Sequence, residues 1–293
     1  WQVLGGKTND NLRTYASQLQ IGWDADFHAY SDPKDYAFAA RQAMDDGYDA
    51  IKVDPIYYNR EAKPVVGYYG IMRQDEVRLG RDRLAALRKE VGPDVDISVE
   101  IHSLFGTNAA SQFARAIEDL GIFYYEEPVH PMNTDNFAKV ADKVNIPVAT
   151  GERSYTRWGY RELFEKKALA VIQPDLCLCG GITEGKKICD HANIYDATVQ
   201  IHVCGGPVST AASLHMEAVV PNFIIHEHHA VAIKSSTTEL FVHDYQPKGG
   251  KYKVPELPGL GQELNDEVVK PHSPHTLQSV TAVHLFFFQH AHA

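Results

Sequence analysis

The sequence predicts an α/β protein whose parallel strands close into a barrel, and three observations predict it. Short apolar runs rich in Val, Ile and Tyr recur eight times along the 293 residues. Amphipathic stretches with apolar positions at i, i+3 and i+4 lie between them, often ending in Gly or Asn. The runs also end in ionisable residues at nearly constant spacing, the intervals from Glu100 to Glu227 being 26, 26, 23, 27 and 25 residues. Strand alternating with helix means repeated βαβ units and a parallel sheet. Eight units favour closure over an open doubly wound sheet, and no Gly-rich dinucleotide fingerprint follows an early strand.

In chain order the expected strands are "RTYASQ" (13–18), "DAIKVD" (49–54), "DISVEIH" (96–102), "IFYYEEP" (122–128), "IPVATGE" (146–152), "AVIQPD" (170–175), "ATVQIH" (197–202) and "FIIHEHH" (223–229). Helices are expected over "NAASQFARAIEDLG", "WGYRELFEKKA" and "ITEGKKICDHANIY". The longest irregular gap, "PIYYNREAKPVVGYYG" (55–70), follows the second strand. A loop that long in a compact domain is usually functional, and it is expected at the catalytic face. "WQVLGG" at the start reads as the end of a helix stopped by glycines, while "HLFFFQHAHA" (284–293) has no assignable pattern.

Composition bounds the function. At 44% hydrophobic and 23% charged residues the chain is ordinary for a soluble globular protein. A formal charge of −10 argues against nucleic acid, whose phosphates need clustered Lys and Arg. It argues only weakly against a free anionic substrate, unless a metal supplies local positive charge. Cys177, Cys179, Cys189 and Cys204 lack a framework spacing and read as free thiols, and a zinc site from the first two lacks its partner pair. No apolar run approaches the ~18 residues of a membrane span, and there is no signal-peptide pattern. A cytoplasmic location and a homo-oligomer are expected.

The ionisable strand ends carry the chemistry. They are Lys52 and Asp54, Glu100 and His102, Glu126, Glu152, Asp175, His202 and Glu227. In a β/α barrel the C-terminal strand ends ring one mouth, where active sites lie. Three consecutive strands ending in Glu100, Glu126 and Glu152 would set carboxylates side by side, and burial would force protons onto some of them. A hard divalent cation removes that conflict, and all-oxygen ligands with open positions suit Mg²⁺ better than zinc. A salt-bridged set with Lys52 and Arg153 is the competing reading. It is disfavoured because Arg153 follows Glu152 directly and points the other way on a strand. Asp175 and His202 end neighbouring strands, and a carboxylate that orients an imidazole makes a general base. Glu100 and His102 share a strand face, so His102 would reach the metal from the other side. Two imidazoles flanking a metal suit proton removal and proton delivery during enolisation of a carboxylate. "HEHH" (226–229) is not the H-E-x-x-H helical zinc pattern, and Glu227 is taken as its inward residue, bonding bound substrate or enolate.

"VEIH", "YYEEPVHP", "ATGERSYTRWGY", "VIQPDLCLCGGITEGKKI", "QIHVCGGPV" and "IHEHH" resemble the enolase superfamily, mandelate racemase subgroup, and within it the galactonate dehydratase-like sugar acid dehydratases. The resemblance runs from "LGG" to about "PELPGLGQEL" (255–264). It implies a TIM-like (β/α)7β barrel, Mg²⁺ held by Glu100, Glu126 and Glu152, and His202 paired with Asp175 as the base that takes the α-proton. It implies His102 as the acid that assists loss of the β-hydroxyl, with Glu227 hydrogen-bonding the intermediate. The activity so implied is dehydration of an aldonate or aldarate to a 2-keto-3-deoxy sugar acid. Epimerisation or cycloisomerisation through the same enolate is the alternative, and a non-catalytic barrel is a third reading. The sequence departs from the family pattern at Glu100, where Asp is commoner. It departs also at Lys52-Val-Asp54, where many relatives have Lys-x-Lys; this removes a second base and leaves Lys52 to bind the substrate carboxylate. Relatives carry an N-terminal α+β capping domain. Residues 1–12 are accordingly expected to be the end of a linker from such a domain, 13–245 the barrel, and 246–293 a C-terminal segment. A barrel without its cap is expected to be open to water and slow.

Overall fold

The computed structural model describes residues 1–24 and 26–270; the "HLFFFQHAHA" tail lies outside the described residues. The chain starts with a single 3-10 turn, Gln2–Leu4, ending at Gly5 in the left-handed region. Strands and helices then alternate as β1 (Asn11–Ser17), α1 (Pro33–Asp45), β2 (Ala50–Val53), α2 (Gln74–Val91), β3 (Asp96–Glu100), α3 (Thr107–Ile117), β4 (Ile122–Glu126), α4 (Thr134–Ala141), β5 (Val148–Thr150), α5 (Thr156–Glu165), β6 (Val171–Ile172), α6 (Gly181–Ile194), β7 (Thr198–Val199), α7 (Pro207–Glu217) and β8 (His226–His229). Short α8 (Ser235–Thr238), β9 (Lys251–Lys253) and α9 (Asp266–Val269) follow.

The spatial order is β7-β6-β5-β4-β3-β2-β1-β8, and every neighbouring pair is parallel. Val199 closes the ring: its N–H donates to the Asn222 carbonyl and its own carbonyl accepts from the Ile224 N–H, both at 2.9 Å. Eight parallel strands with seven intervening helices make the expected (β/α)7β, TIM-like barrel. In such a ring β3 and β7 stand diametrically opposed.

The helices form for local reasons. α1 has Pro33 in its first turn and Asp32 as cap, whose carboxylate accepts from the Lys34 N–H at 2.9 Å. Tyr36, Ala39, Ala40 and Ala43 are its buried stripe, and α3 buries Ala109, Ala110, Phe113, Ala114 and Ile117 at the same helical spacing. These stripes pack on the outward faces of the strands, so the core is a shell between sheet and helices. Inside the barrel, beneath the mouth, lie Tyr15, Tyr124 and a Gln173–Gln200 pair.

Two features depart from the sequence expectation. β9 pairs antiparallel with the start of β1, Asn11 opposite Lys253. Only Tyr252 of its three residues is buried, too short a run to show periodicity. The strands are also shorter than the apolar runs. The regular strands end at Glu100, Thr150, Ile172 and Val199, so His102 and Glu152 stand on turns just beyond, while Asp175 and His202 meet past the ends of β6 and β7 in a single parallel bridge. At Gly151 (φ +148°) an added Cβ would come 2.8 Å from the Gln173 backbone, so the chain turns out of the strand there at a glycine.

Candidate active site

Every strand-end residue anticipated from the sequence reaches one mouth of the barrel. β3 and β4 run in register with Glu100 opposite Glu126, and Glu152 follows one strand on. The three carboxylates are buried, and each offers an oxygen within 4.8 Å of the others. Charge crowding shows in their ionisation. Burial, reinforced by Glu100, Glu227 and Glu152, pushes the Glu126 carboxyl up to about 8 against the opposing pull of Lys52. Glu152 is also raised by burial; Glu100, though buried, is lowered by His102 and Lys52.

Among the described residues, Glu126 Oε2 and Glu152 Oε2 are buried without a hydrogen-bond partner. Orphaned carboxylate oxygens at this depth are costly, and a cation relieves them. Oxygen-only donors at this separation fit a hard divalent cation, so the triad could hold one.

Lys52, at the end of β2, lies deep in the same cluster. Its ammonium sits 2.8 Å from Glu126 Oε1, 2.8 Å from Glu227 Oε1 and 3.2 Å from Glu100 Oε2. The residue is 1% exposed. Burial would lower its pKa, but the three carboxylates hold it well above the usual lysine range. Lys52 is thus a built-in counter-charge beneath the triad, and it also touches Glu227 on the far flank. Glu227 itself accepts from Ser17 Oγ and from the Val203 N–H, both at 2.9 Å.

Two Asp–His pairs flank the carboxylates. At the end of β7, His202 Nδ1 donates to Asp175 Oδ2 at 2.8 Å, and its Nε2 lies 3.4 Å from Glu152 Oε2. A lone parallel bridge between Asp175 and His202 continues the β6–β7 pairing and brings the two together. Burial would lower the imidazole pKa, yet Glu152, Asp175 and Glu227 raise it well above the ordinary value. On the opposite wall, His102 Nδ1 meets Asp54 Oδ2 at 2.8 Å, and its Nε2 lies 3.2 Å from Glu100 Oε1. Glu100 and Asp54 outweigh burial and raise this ring to about 9. Both imidazoles are partly exposed at the mouth, whereas both aspartates are buried.

Other contacts were not legible in the sequence. His102 and Ser103 take left-handed backbone (φ +49° and +62°), so strand alternation does not set the His102 ring. The argument that Arg153 points away from the site also lapses beyond the end of β5. Its guanidinium pairs with Glu127 and lies 3.2 Å from Glu152 Oε1. Glu127, the second Glu of "EEP", is fully buried and accepts from Ser103 Oγ at 2.7 Å. The end of β1 supplies Gln18, which donates to Glu100 Oε2 at 3.1 Å. Only the recurrence of polar residues at i and i+2 past the first run, in "SQLQ", could have pointed to it. The 55–70 loop reaches the mouth and sets Tyr57 edge-on to the His102 ring, centroids 5.9 Å apart.

Residues 35–268 match the family described as Enolase C-terminal domain-like. The chain belongs to that family. This enolase-type barrel is 30% identical over 275 residues to a D-xylonate dehydratase of Haloferax volcanii, covering 93% of this chain and 64% of that one. It is 28% identical to a D-gluconate/D-galactonate dehydratase of Picrophilus torridus, covering 92% and 65% of the two chains. A solved structure from Salmonella enterica serovar Typhimurium, named provisionally as a dehydratase, superposes with a TM-score of 0.91 at 64% identity, covering 92% of this chain and 69% of that one. The enolase-type barrel therefore spans about two thirds of the length of these relatives.

Proposed function

We propose that the protein is a Mg²⁺-dependent sugar acid dehydratase that converts an aldonate or aldarate to a 2-keto-3-deoxy acid. The observation that carries this reading is the pair of Asp-backed imidazoles on opposite walls, each turning Nε2 toward a carboxylate of the buried Glu triad. The names of the relatives, which include D-xylonate, D-gluconate and D-galactonate dehydratases, agree with it.

Glu100, Glu126 and Glu152 would hold the ion. When bound, Mg²⁺ supplies the positive charge that makes an anion α to a carboxylate accessible. His202 Nε2 takes the α-proton, and Asp175 keeps the opposite nitrogen protonated and the ring oriented. The electron pair released forms the Cα–Cβ double bond as the β C–O bond breaks. The departing oxygen takes a proton from His102 Nε2 and leaves as water. The resulting enol tautomerises to the 2-keto acid. Glu227, held by Ser17 and Val203, lies beside His202 to hydrogen-bond the intermediate. Lys52 offers a cation to the same region, although its three carboxylate partners leave it little freedom to reach a substrate carboxylate.

The test is a panel of aldonates and aldarates assayed for 2-keto acid formation with and without Mg²⁺, using the protein at its full natural length. Formation with at least one substrate, abolished by EDTA, is expected. Inversion of stereochemistry without loss of water would favour an epimerase instead.

A further inference from the structure

Asp54 lies two residues beyond Lys52, just past the end of β2, and its surroundings show what it does. The residue is 1% exposed and uses both carboxylate oxygens. Oδ1 accepts from the Ile56 N–H at 3.0 Å, while Oδ2 accepts from His102 Nδ1 at 2.8 Å. With one oxygen tied to backbone, the other has a fixed direction. Its own N–H donates to Gln20 Oε1 at 3.1 Å, and the Gln20 amide in turn donates to Gln18 Oε1. Gln18 Nε2 then reaches Glu100 Oε2 at 3.1 Å and lies 3.4 Å from His102 Nε2. A chain of groups from the ends of β1, β2 and β3 thus frames one imidazole from both nitrogens. The frame matters because His102 sits on left-handed backbone, where strand alternation does not aim its ring. The arrangement repeats on the opposite wall, where Asp175 holds His202 at the same 2.8 Å.

We propose that Asp54 is the positioning residue of the elimination acid: it fixes His102 so that Nδ1–H is held on the carboxylate and Nε2–H faces the leaving group. This rests on the dehydratase reading. After Nε2 gives its proton to the departing hydroxyl, the ring is left neutral with its remaining proton on Nδ1, where Asp54 accepts it. Asp54→Asn keeps an acceptor for Ile56 but presents an amide to Nδ1. The ring is then driven to the other tautomer or released.

The test compares Asp54→Asn, His102→Asn and the double variant with the unaltered protein in deuterium oxide, following both keto acid formation and α-proton exchange. General acid catalysis contributes ~10²–10⁴-fold, so Asp54→Asn should lower kcat for dehydration by about 10²-fold or more. KM and α-proton exchange by His202 should change little. The double variant should be no slower than His102→Asn alone. Elimination and exchange falling together, additive losses in the double variant, or unimpaired dehydration would each overturn the proposal. A second measurement is independent of turnover. In ¹⁵N-histidine spectra the His102 Nδ1 resonance should leave its hydrogen-bonded position in Asp54→Asn, and an unmoved resonance also overturns it. Should the unaltered protein neither dehydrate nor exchange any sugar acid, the dehydratase reading fails while the spectra still judge the Asp54–His102 pairing. If Asp54→Asn does not fold by circular dichroism, Asp54→Ser takes its place under the same criteria.

Discussion

His202 and Lys52 show how little of a residue's task lies in its type. The imidazole of His202 is poised by two kinds of carboxylate, one that orients it and one beside its free nitrogen. His202→Asn should therefore abolish both α-proton exchange and dehydration, a loss of at least ~10²-fold on the general-base scale, read by exchange into deuterium oxide. Lys52 is different, because its partners are all acids with no route to water. Removing one partner of a buried ion cluster costs ~3–5 kcal/mol. Lys52→Met should accordingly lose stability of that order in EDTA, read by urea unfolding. Because Mg²⁺ would neutralise two of the same carboxylates, Glu100 and Glu126, it should restore more stability to Lys52→Met than it adds to the unaltered protein. Equal stabilisation of the two would argue against a shared site.

At the scale of elements, α2 and β8 carry structural burdens that the chemistry depends on. Arg83 of α2 is fully buried and donates to the carbonyls of Ser31, Pro55, Tyr58 and Asn59. It thus ties down the 55–70 loop that places Tyr57 against His102. Arg83→Met should speed amide exchange across residues 55–65 while leaving β3 and β4 protected, as read by hydrogen-exchange mass spectrometry. In β8, His226 and His228 face outward. His228 bonds the Tyr48 hydroxyl and packs edge-on against Trp23 and Tyr252; His226 bonds Glu217 at 2.7 Å. Burial, with His226 and His229 adding, depresses His228 to about 3. The unfolded chain binds that proton near ~6.5, so below this pH the unfolded state holds more protons and stability falls as pH falls. The His228 contribution is full above ~6.5 and drains away toward about 3. His228→Asn should flatten the decline of the melting temperature between pH 6.5 and 4 relative to the unaltered protein. An unchanged slope would exclude His228 as its source.

Across the whole molecule, the barrel is a device for bringing seven strand ends to one ring without any of them being near in sequence. β3, β4 and β5 deliver the carboxylates, β7 and β3 deliver opposed imidazoles, β6 delivers the Asp175 that holds His202, and β2 and β8 deliver Lys52 and Glu227 between them. A ligand that binds only the folded state stabilises it by mass action. Mg²⁺ at 100 times its dissociation constant should add about 2.7 kcal/mol, measured as a shift in the thermal midpoint, and Glu126→Gln together with Glu152→Gln should erase the shift.

The ring order and the identity of its members were legible in the sequence, because strands recurring every 23 to 27 residues can only place their C-terminal ends around one mouth. Glu100, Glu126 and Glu152 fall side by side for that reason alone, and Asp175 falls next to His202. What tertiary structure decided was the direction of each side chain once the strands had ended. Beyond Glu100 and Thr150 the backbone enters left-handed turns, and the two-residue alternation that governs a strand no longer applies. Arg153 consequently turns back on Glu127 and Glu152, and His102 takes its orientation from Asp54, 48 residues earlier in the chain. Lys52 settles among three carboxylates because they alone can neutralise it at that depth, and no spacing along the chain records which charges burial will bring together.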